Sequence, residues 1–428
     1  MSMLILFVSF LIFTLIGTPI YAGIGISSIL YLVVKDYTLL AMVPQRIWAG
    51  MDTYIMIALP LFIFAGHLMN SGGITKRIID FSLRAVKPIK GGLGEVAVVS
   101  SMIMAGVSGS SVADTSAIGS VLIPSMVEKG YNVKYATGLV AAASTMGIII
   151  PPSIPMVTFS MVSGVSVGKL FLAGAIPGIS IGVLQIVMIQ YYKKKHKLTA
   201  LDEKVEVMGN TKKSIIEGVF ALLMPLIIIV SITAGIATAS ESAGIAVVYT
   251  LVLGIFVFKE LKPKKIIKIL KTTALSTSTI MIIIGFSMIF GWIMAMEQVP
   301  DSLATFLLGL NLSKGWILLF LDILILFLGT FLDVTPIIIL ITPILMPIMF
   351  QFGVSNLQFG AILIVGSAIG LVTPPLGMCL NAASKISKLP INEVFSSAVP
   401  FVACDFIVLL LVTYIPAISL FLPNLIMK

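Results

Sequence analysis

The chain is predicted to be an all-α polytopic membrane protein made of two repeats, each with a re-entrant helical hairpin and a transmembrane helix broken at a Pro-Pro pair. The first observation behind this is bulk composition. Of 428 residues, 58% are hydrophobic and 11% charged, and mean hydropathy is +1.14, which leaves too little polar surface to cover a soluble globule. The second is a pattern that occurs twice. GVSGSSVADTSAIGSVLIP leads to TMGIIIPPSIP and then AIP; LGTFLDVTPIIILITP leads to AIGLVTPPLG and then AVP. Asp114 pairs with Asp333 and Pro124 with Pro343 at an offset of 219, while Pro151 pairs with Pro374 and Pro177 with Pro400 at 223. Paired Gly/Pro-interrupted apolar segments in corresponding parts of two halves point to the binding site of a secondary transporter.

Apolar runs long enough to cross roughly 30 Å of hydrocarbon lie near 3–34, 53–69, 134–150, 170–192, 215–235, 242–258, 273–296, 314–331, 357–372 and 399–423. The pieces near 93–107 and 115–127, and those flanking Asp333, are too short and interrupted to cross singly. Each pair reads as a hairpin, at 92–130 and about 314–350. The first repeat is placed at 1–192, with its broken helix around 147–155, and the second at 215–428, with its break around 370–378. Basic residues interleaved with apolar ones at 71–91 predict an interfacial helix, and 259–271 resembles it; both read as arms that join a static scaffold to a moving core.

The net charge of +9 is topological and gives no ground for nucleic-acid binding. Lys193, Lys194, Lys195, Lys197, Lys212 and Lys213 share one loop, and Lys259, Lys262, Lys264, Lys265, Lys268 and Lys271 another. Two spans separate these loops, so both fall on one side, which the positive-inside rule makes cytoplasmic. The first loop, 193–214, also carries Asp202, Glu203 and Glu206 and reads as the linker between repeats. Cys379 and Cys404 are the only cysteines, too few for a disulfide framework or zinc site. The first run lacks a basic n-region and exceeds a signal peptide's core, so it is expected to stay as a span.

The chemistry is concentrated in the duplicated segments. Ser108, Ser110, Ser111, Asp114, Thr115 and Ser116 fall within nine residues. Non-helical backbone in hydrocarbon survives only where it lines a cavity or is buried in protein, so this stretch is placed at a hairpin tip, where its oxygens suit sodium. Asp114 either caps a half-helix beginning at Thr115 or serves an ion, and the two roles are compatible. Its counterpart stretch offers Gly329, Thr330, Asp333 and Thr335, and intramembrane carboxylates are functional candidates by default. The Pro-Pro pairs should break the helices ending near Ile150 and Thr373 and free the carbonyls of Gly147, Ile150, Gly370 and Thr373 for ions. Thr158 and Asn381 lead the side-chain candidates for substrate contact, joined by Ser111, Thr115 and Thr335; both could equally be interhelical hydrogen-bonding glue. His67 lies outside the duplicated core, and Glu95, Glu217, Glu241, Glu297, Asp322 and Asp405 read as caps or snorkelling groups. Trp48, Trp292 and Trp316 are plausible interface anchors.

These strings, with FLDVTP, LVTPPLG and a length near 430, resemble the large membrane subunit of the tripartite ATP-independent periplasmic (TRAP) transporters, over essentially the whole chain. The resemblance implies inverted-topology repeats, an elevator motion and sodium-driven import of organic anions such as C4-dicarboxylates or sialic acid across the bacterial inner membrane. It implies two partners, a small four-helix membrane subunit and a periplasmic substrate-binding protein, and no cofactor beyond sodium as coupling ion. Carried over residue by residue, the first ion site involves Ser108, Ser110, Gly147, Ile150 and Pro152, with Asp114 beside it. The second involves Gly329, Thr330, Gly370, Thr373 and Leu376, with Asp333 beside it. The chain starts directly in its first span, so it resembles the unfused form. The alternatives are a stand-alone sodium-coupled dicarboxylate or citrate symporter, a passive channel, and an intramembrane serine protease. The last is suggested by Gly106-Val107-Ser108-Gly109 but lacks a core histidine as base.

Overall fold

The computed structural model describes residues 2–86, 92–196, 211–310 and 312–427, and no strand occurs among them. The first half contains α1 (Ser2–Leu15), α2 (Ile20–Lys35), α3 (Met42–Met51), α4 (Ala58–Ser71), α5 (Ile74–Val86), α6 (Leu93–Ser108), α7 (Ser111–Glu128), α8 (Val133–Ala143), α9 (Ile154–Ser163) and α10 (Val167–His196). The second contains α11 (Thr211–Thr233), α12 (Ala239–Val252), α13 (Pro263–Met296), α14 (Val299–Gly309), α15 (Lys314–Phe331), α16 (Val334–Gln351), α17 (Asn356–Gly370), α18 (Met378–Ser387), α19 (Ile391–Tyr414) and α20 (Ala417–Ile426). Eight helical segments are long and apolar enough to cross a membrane, and α15 and α16 are among them at 18 residues each, so the pieces flanking Asp333 are not too short to cross singly as the sequence reading had them; the chain is a multi-pass membrane protein.

Three boundaries differ from the sequence reading. The run 3–34 is two helices, because Gly17 adopts φ +85° and Pro19 at the N-cap of α2 has no N–H with which to continue α1. The two short helices then pack on each other. The second arm is not a separate element either: Pro263 opens α13, whose 34 residues run unbroken to Met296. The linker 193–214 is helical at both ends, as α10 continues to His196 and α11 begins at Thr211. Its middle, with Lys197, Asp202, Glu203 and Glu206, lies outside the described residues, as do Lys87 and Lys90.

The first arm is helix α5, and it buries Ile74, Ile78, Ile79 and Val86 against α6 and α11. Arg77 fastens its start. The guanidinium donates to Glu217 on α11 (2.9 Å), Glu260 (2.8 Å) and the Gly73 carbonyl (2.9 Å), and it stacks 4.0 Å from the Phe258 ring centroid. Such forked pairing with two carboxylates is a geometry that lysine cannot reproduce.

The duplication is more regular than the sequence reading had it. Helices α7 and α16 both have 18 residues, and their first and last residues are each 223 apart. The N-caps of α8 and α17, Asn132 and Ser355, are also 223 apart, as are the Pro-Pro pairs. This overturns the pairing of Asp114 with Asp333. The position matching Asp333 is Ser110, each being the N-cap of its hairpin's second helix, and the position matching Asp114 is Ile337.

Corresponding helices also pack in a crossed way. Helix α9 rests on α16 of the other repeat and α18 on α7; α8 rests on α19 and α17 on α10. Each hairpin is therefore buttressed by the half-helix that follows the opposite repeat's break.

Candidate ion and substrate site

The first hairpin turns at Gly109, whose φ of +62° favours a residue without a Cβ. A Cβ there would also stand 3.0 Å from the Pro152 carbonyl oxygen. Ser110 is the N-cap of α7 and accepts from the Ala113 N–H (3.5 Å), while its own N–H donates to Ser108 Oγ (3.1 Å). Asp114 therefore does not cap a helix starting at Thr115; it sits inside the first turn of α7. Its carboxylate is fully buried and neither oxygen has a hydrogen-bond partner, since the nearby Ser108 hydroxyl is turned to the Ser110 carbonyl. One carboxylate oxygen lies 2.6 Å from where a Cβ on Gly147 would be, so the absent side chain at Gly147 is what admits it.

The breaks follow the prolines. Helix α8 tightens into a 3-10 turn at Ser144–Ile148, the Pro151–Pro152 bond is cis, and Ser153 then caps α9 by accepting from the Met156 N–H (3.3 Å). In the second repeat α17 ends at Gly370, and Pro374–Pro375 is likewise cis. Both loops bond to their hairpin tips: Ile154 N–H donates to the Gly109 carbonyl (3.4 Å) and Leu376 N–H to that of Thr330 (3.1 Å). One expected free carbonyl is engaged, because Gly370 accepts from the Thr373 N–H at 3.1 Å.

Two cavities adjoin these tips. The smaller, about 260 Å³, is lined by Ser108, Ser110, Ser111, Asp333 and Thr335 together with His67, Asn70 and Ser276 from α4 and α13. The larger, about 690 Å³, is lined by Ser116, Gly329, Asp333, Leu376, Asn381 and Lys385, with Ile20 of α2 opposite. Asp333 faces both. Gly147, Ile150, Pro152, Asp114, Thr330, Gly370 and Thr373 line neither cavity. Two substrate candidates fall away from the cavities. Thr158 is buried and donates to the Ile154 carbonyl (3.1 Å), and Thr115 is buried and donates to that of Ser111 (2.8 Å). Each serves its own helix.

Sequence reasoning set aside several groups that matter. His67 is outside the duplicated core yet faces the smaller cavity from α4, its Nδ1 paired with Thr273 Oγ1 (3.0 Å). It shares that cavity with Ser108, but no hydrogen bond joins them among the described residues, so no nucleophile–base pair forms. Glu95, Asp322 and Asp405 are buried and neither cap nor snorkel. Gln190 donates to Glu95 (2.5 Å) and Thr413 to Asp322 (3.0 Å); Gln190 and Thr413 are themselves 223 apart, a signal the sequence carried. Asp405 accepts from Thr145 Oγ1 (2.8 Å) and Gln185 Nε2 (2.9 Å), and the Thr145 carbonyl accepts from Ser111 Oγ (3.1 Å). That chain ties α19 to the first hairpin tip. Glu241 does cap, forming a capping box with Thr238. Glu217 pairs with Arg77, and Glu297 with Lys35 at 2.9 Å. Trp48 and Trp316 are exposed as interface anchors would be, whereas Trp292 lies under the Arg46 guanidinium.

Comparison with known proteins agrees with this geometry. The YdaH transporter of Alcanivorax borkumensis has the same fold, with a TM-score of 0.63 over 88% of each chain at 14% identity. The sialic acid TRAP transporter large permease protein SiaM of Vibrio cholerae is 36% identical over 409 residues, 96% of this chain and 95% of that one. The C4-dicarboxylate TRAP transporter large permease protein DctM of Pseudomonas aeruginosa is 34% identical over 404 residues, 94% of each. The family model for the tripartite ATP-independent periplasmic transporter, DctM component, matches residues 7–418. With its duplicated hairpins, broken helices and matched length, the chain belongs to the DctM family of TRAP transporter large permease proteins, and it is a transport component, not an enzyme.

Proposed function

We propose that this permease imports an organic anion of the C4-dicarboxylate or sialic acid class across the bacterial inner membrane, driven by sodium. It works with a small four-helix membrane subunit and a periplasmic binding protein. The observation that carries the reading is that both hairpin tips and the loop after the second break meet at cavities bordered on the far side by scaffold residues, His67 and Ser276 at one and Ile20 at the other. A substrate held there sits on the seam across which an elevator core would slide. Main-chain and hydroxyl oxygens of Ser108, Ser110, Gly147, Ile150 and Pro152 form the first sodium site, with the unpartnered Asp114 carboxylate supplying charge beside it. Gly329, Thr330, Gly370, Thr373 and Leu376 form the second, with Asp333 beside it. Half-helix N-termini and broken-helix carbonyls are the usual materials of such sites. Ser111, Thr335 and Asn381 remain at the cavity walls as substrate contacts, and the crossed packing of α9 on α16 and α18 on α7 is what inverted repeats would give.

The test is uptake of labelled succinate and sialic acid into proteoliposomes holding this chain and its small subunit, with and without binding protein, under an inward sodium gradient. Uptake that needs both sodium and binding protein is expected. Sodium-driven uptake without binding protein would make it a stand-alone symporter and overturn the tripartite reading.

A further inference from the structure

The larger cavity contains a single cation. Lys385 stands on α18 four residues after Asn381, about one helical turn, so the two side chains share a face, and both line the cavity. Ser116 faces it from the first hairpin and Asp333 from the second, so elements of both repeats border it. Lys385 is exposed to this open cavity, and among the described residues no carboxylate comes within ion-pair distance of its ammonium, as Glu297 and Glu393 do for Lys35 and Lys134. The ordinary role for a lysine in the last turn of a helix is to face its C-terminal carbonyls. Lys388, at the C-cap of α18 and outside the cavity lining, is placed for that task without Lys385.

We propose that Lys385 is the counter-charge that binds a carboxylate of the transported anion in this cavity, an assignment that rests on the transport reading above. The cavity is then polarised. The coupling cation belongs at the Asp333 end, against the second hairpin tip, and the anion's carboxylate at the Lys385 end. A lysine ammonium is a compact charge with three donors, suited to carboxylates of differing shape, as substrates from dicarboxylates to sialic acid require.

The test compares wild type, Lys385→Met, Lys385→Arg and Lys388→Met, each reconstituted with its small subunit and binding protein, measuring initial uptake of succinate and of sialic acid against concentration. Expected is a tenfold or greater rise in KM for Lys385→Met, with a smaller change in maximal rate. Arginine should restore KM to within about threefold, the charge being kept, and Lys388→Met should match wild type. A second readout is independent of turnover: Lys385→Cys should react with a charged thiol reagent more slowly when the transported anion is present, against a background kept low by the burial of Cys379 and Cys404. Unchanged KM in Lys385→Met, or labelling indifferent to the anion, overturns the Lys385 assignment while wild-type uptake leaves the transport reading standing. Wild type that carries neither probe overturns both.

Discussion

Gly370 of the second broken helix lies against the backbone of Gly329 at its hairpin tip, and adding one methyl group there tests whether the tip geometry sets sodium binding. A Cβ on Gly370 would stand 2.5 Å from Gly329 Cα, 2.6 Å from its carbonyl carbon and 2.7 Å from its oxygen. All three are backbone atoms, so no rotamer change relieves the clash. Carbon atoms rest at roughly 3.5–4.0 Å, and the tip must therefore retreat by about 1 Å. Overpacking of this kind costs about 1–3 kcal/mol. Because Gly329 and Thr330 belong to the proposed second sodium site, most of that cost should appear as weaker ion binding, and each 1.4 kcal/mol corresponds to about tenfold. Gly370→Ala is thus expected to shift the sodium activation of uptake upward by about ten- to a hundredfold, in protein that still elutes as a folded complex. Gly244→Ala on α12 is the control: nothing lies within 4 Å of its Cβ position, and a helix-interior Gly→Ala change should stabilise by about 0.5–1 kcal/mol. A Gly370→Ala protein whose sodium activation lies within twofold of wild type would refute the reasoning, because it would show that the ion does not sense the tip.

Three further changes probe the supports of the site. Asp114→Asn keeps the shape and removes the charge; since Ser110 already caps α7, near-normal transport would mean that the carboxylate serves no ion, while a large loss is expected. Asp405→Ala removes the acceptor shared by the Thr145 hydroxyl and the Gln185 amide, which keep only the Ala142 carbonyl (2.7 and 3.4 Å), at about 1–3 kcal/mol in all. Thermal unfolding in detergent should fall by several degrees, and an unchanged midpoint would count against the network. Arg77→Lys cannot span Glu217 and Glu260 together, so hydrogen exchange at 253–262 should quicken; exchange like wild type would show that the arm is held by its apolar face alone.

Much of the fold was legible because membrane spans are written in composition and the breaks in proline. The register of the duplication was not. Pairing Asp114 with Asp333 slipped the hairpins by four residues relative to the structure, and a four-residue slip is close to one helical turn. It leaves apolar and proline faces nearly superposed: α16 has prolines at 343 and 347, and either one matches Pro124 on nearly the same face. The helix ends and caps, Ser110 and Asp333 among them, resolve the choice. Gly17-Thr18-Pro19, by contrast, was a readable stop inside the first run. The buried carboxylates were unreadable for another reason. Asp405 meets Thr145 and Gln185 across 260 and 220 residues, and nothing local distinguishes such an aspartate from one near a span end.

The crossed packing has a mechanical consequence for coupling. Asp333 belongs to the second hairpin yet lines the cavity beneath the first tip as well as the larger one. The first tip, in turn, is braced through Ser111, Thr145 and Asp405 by α19 of the second repeat. Neither tip can open far without disturbing a group that the other repeat holds. On the proposed sodium sites, an ion that orders one tip is expected to lower the ordering cost at the other as well, which would be positive coupling without any direct contact between ions. Such a core should move as one body once both tips are filled and resist moving when one is empty, which is the condition a symporter needs to avoid leaking its driving ion. The matching expectation is that weakening either site, by Gly147→Ala or by Gly370→Ala, lowers apparent sodium affinity for the whole cycle. A variant that lost only part of the sodium dependence, with the remaining component at wild-type affinity, would show that the two tips act independently.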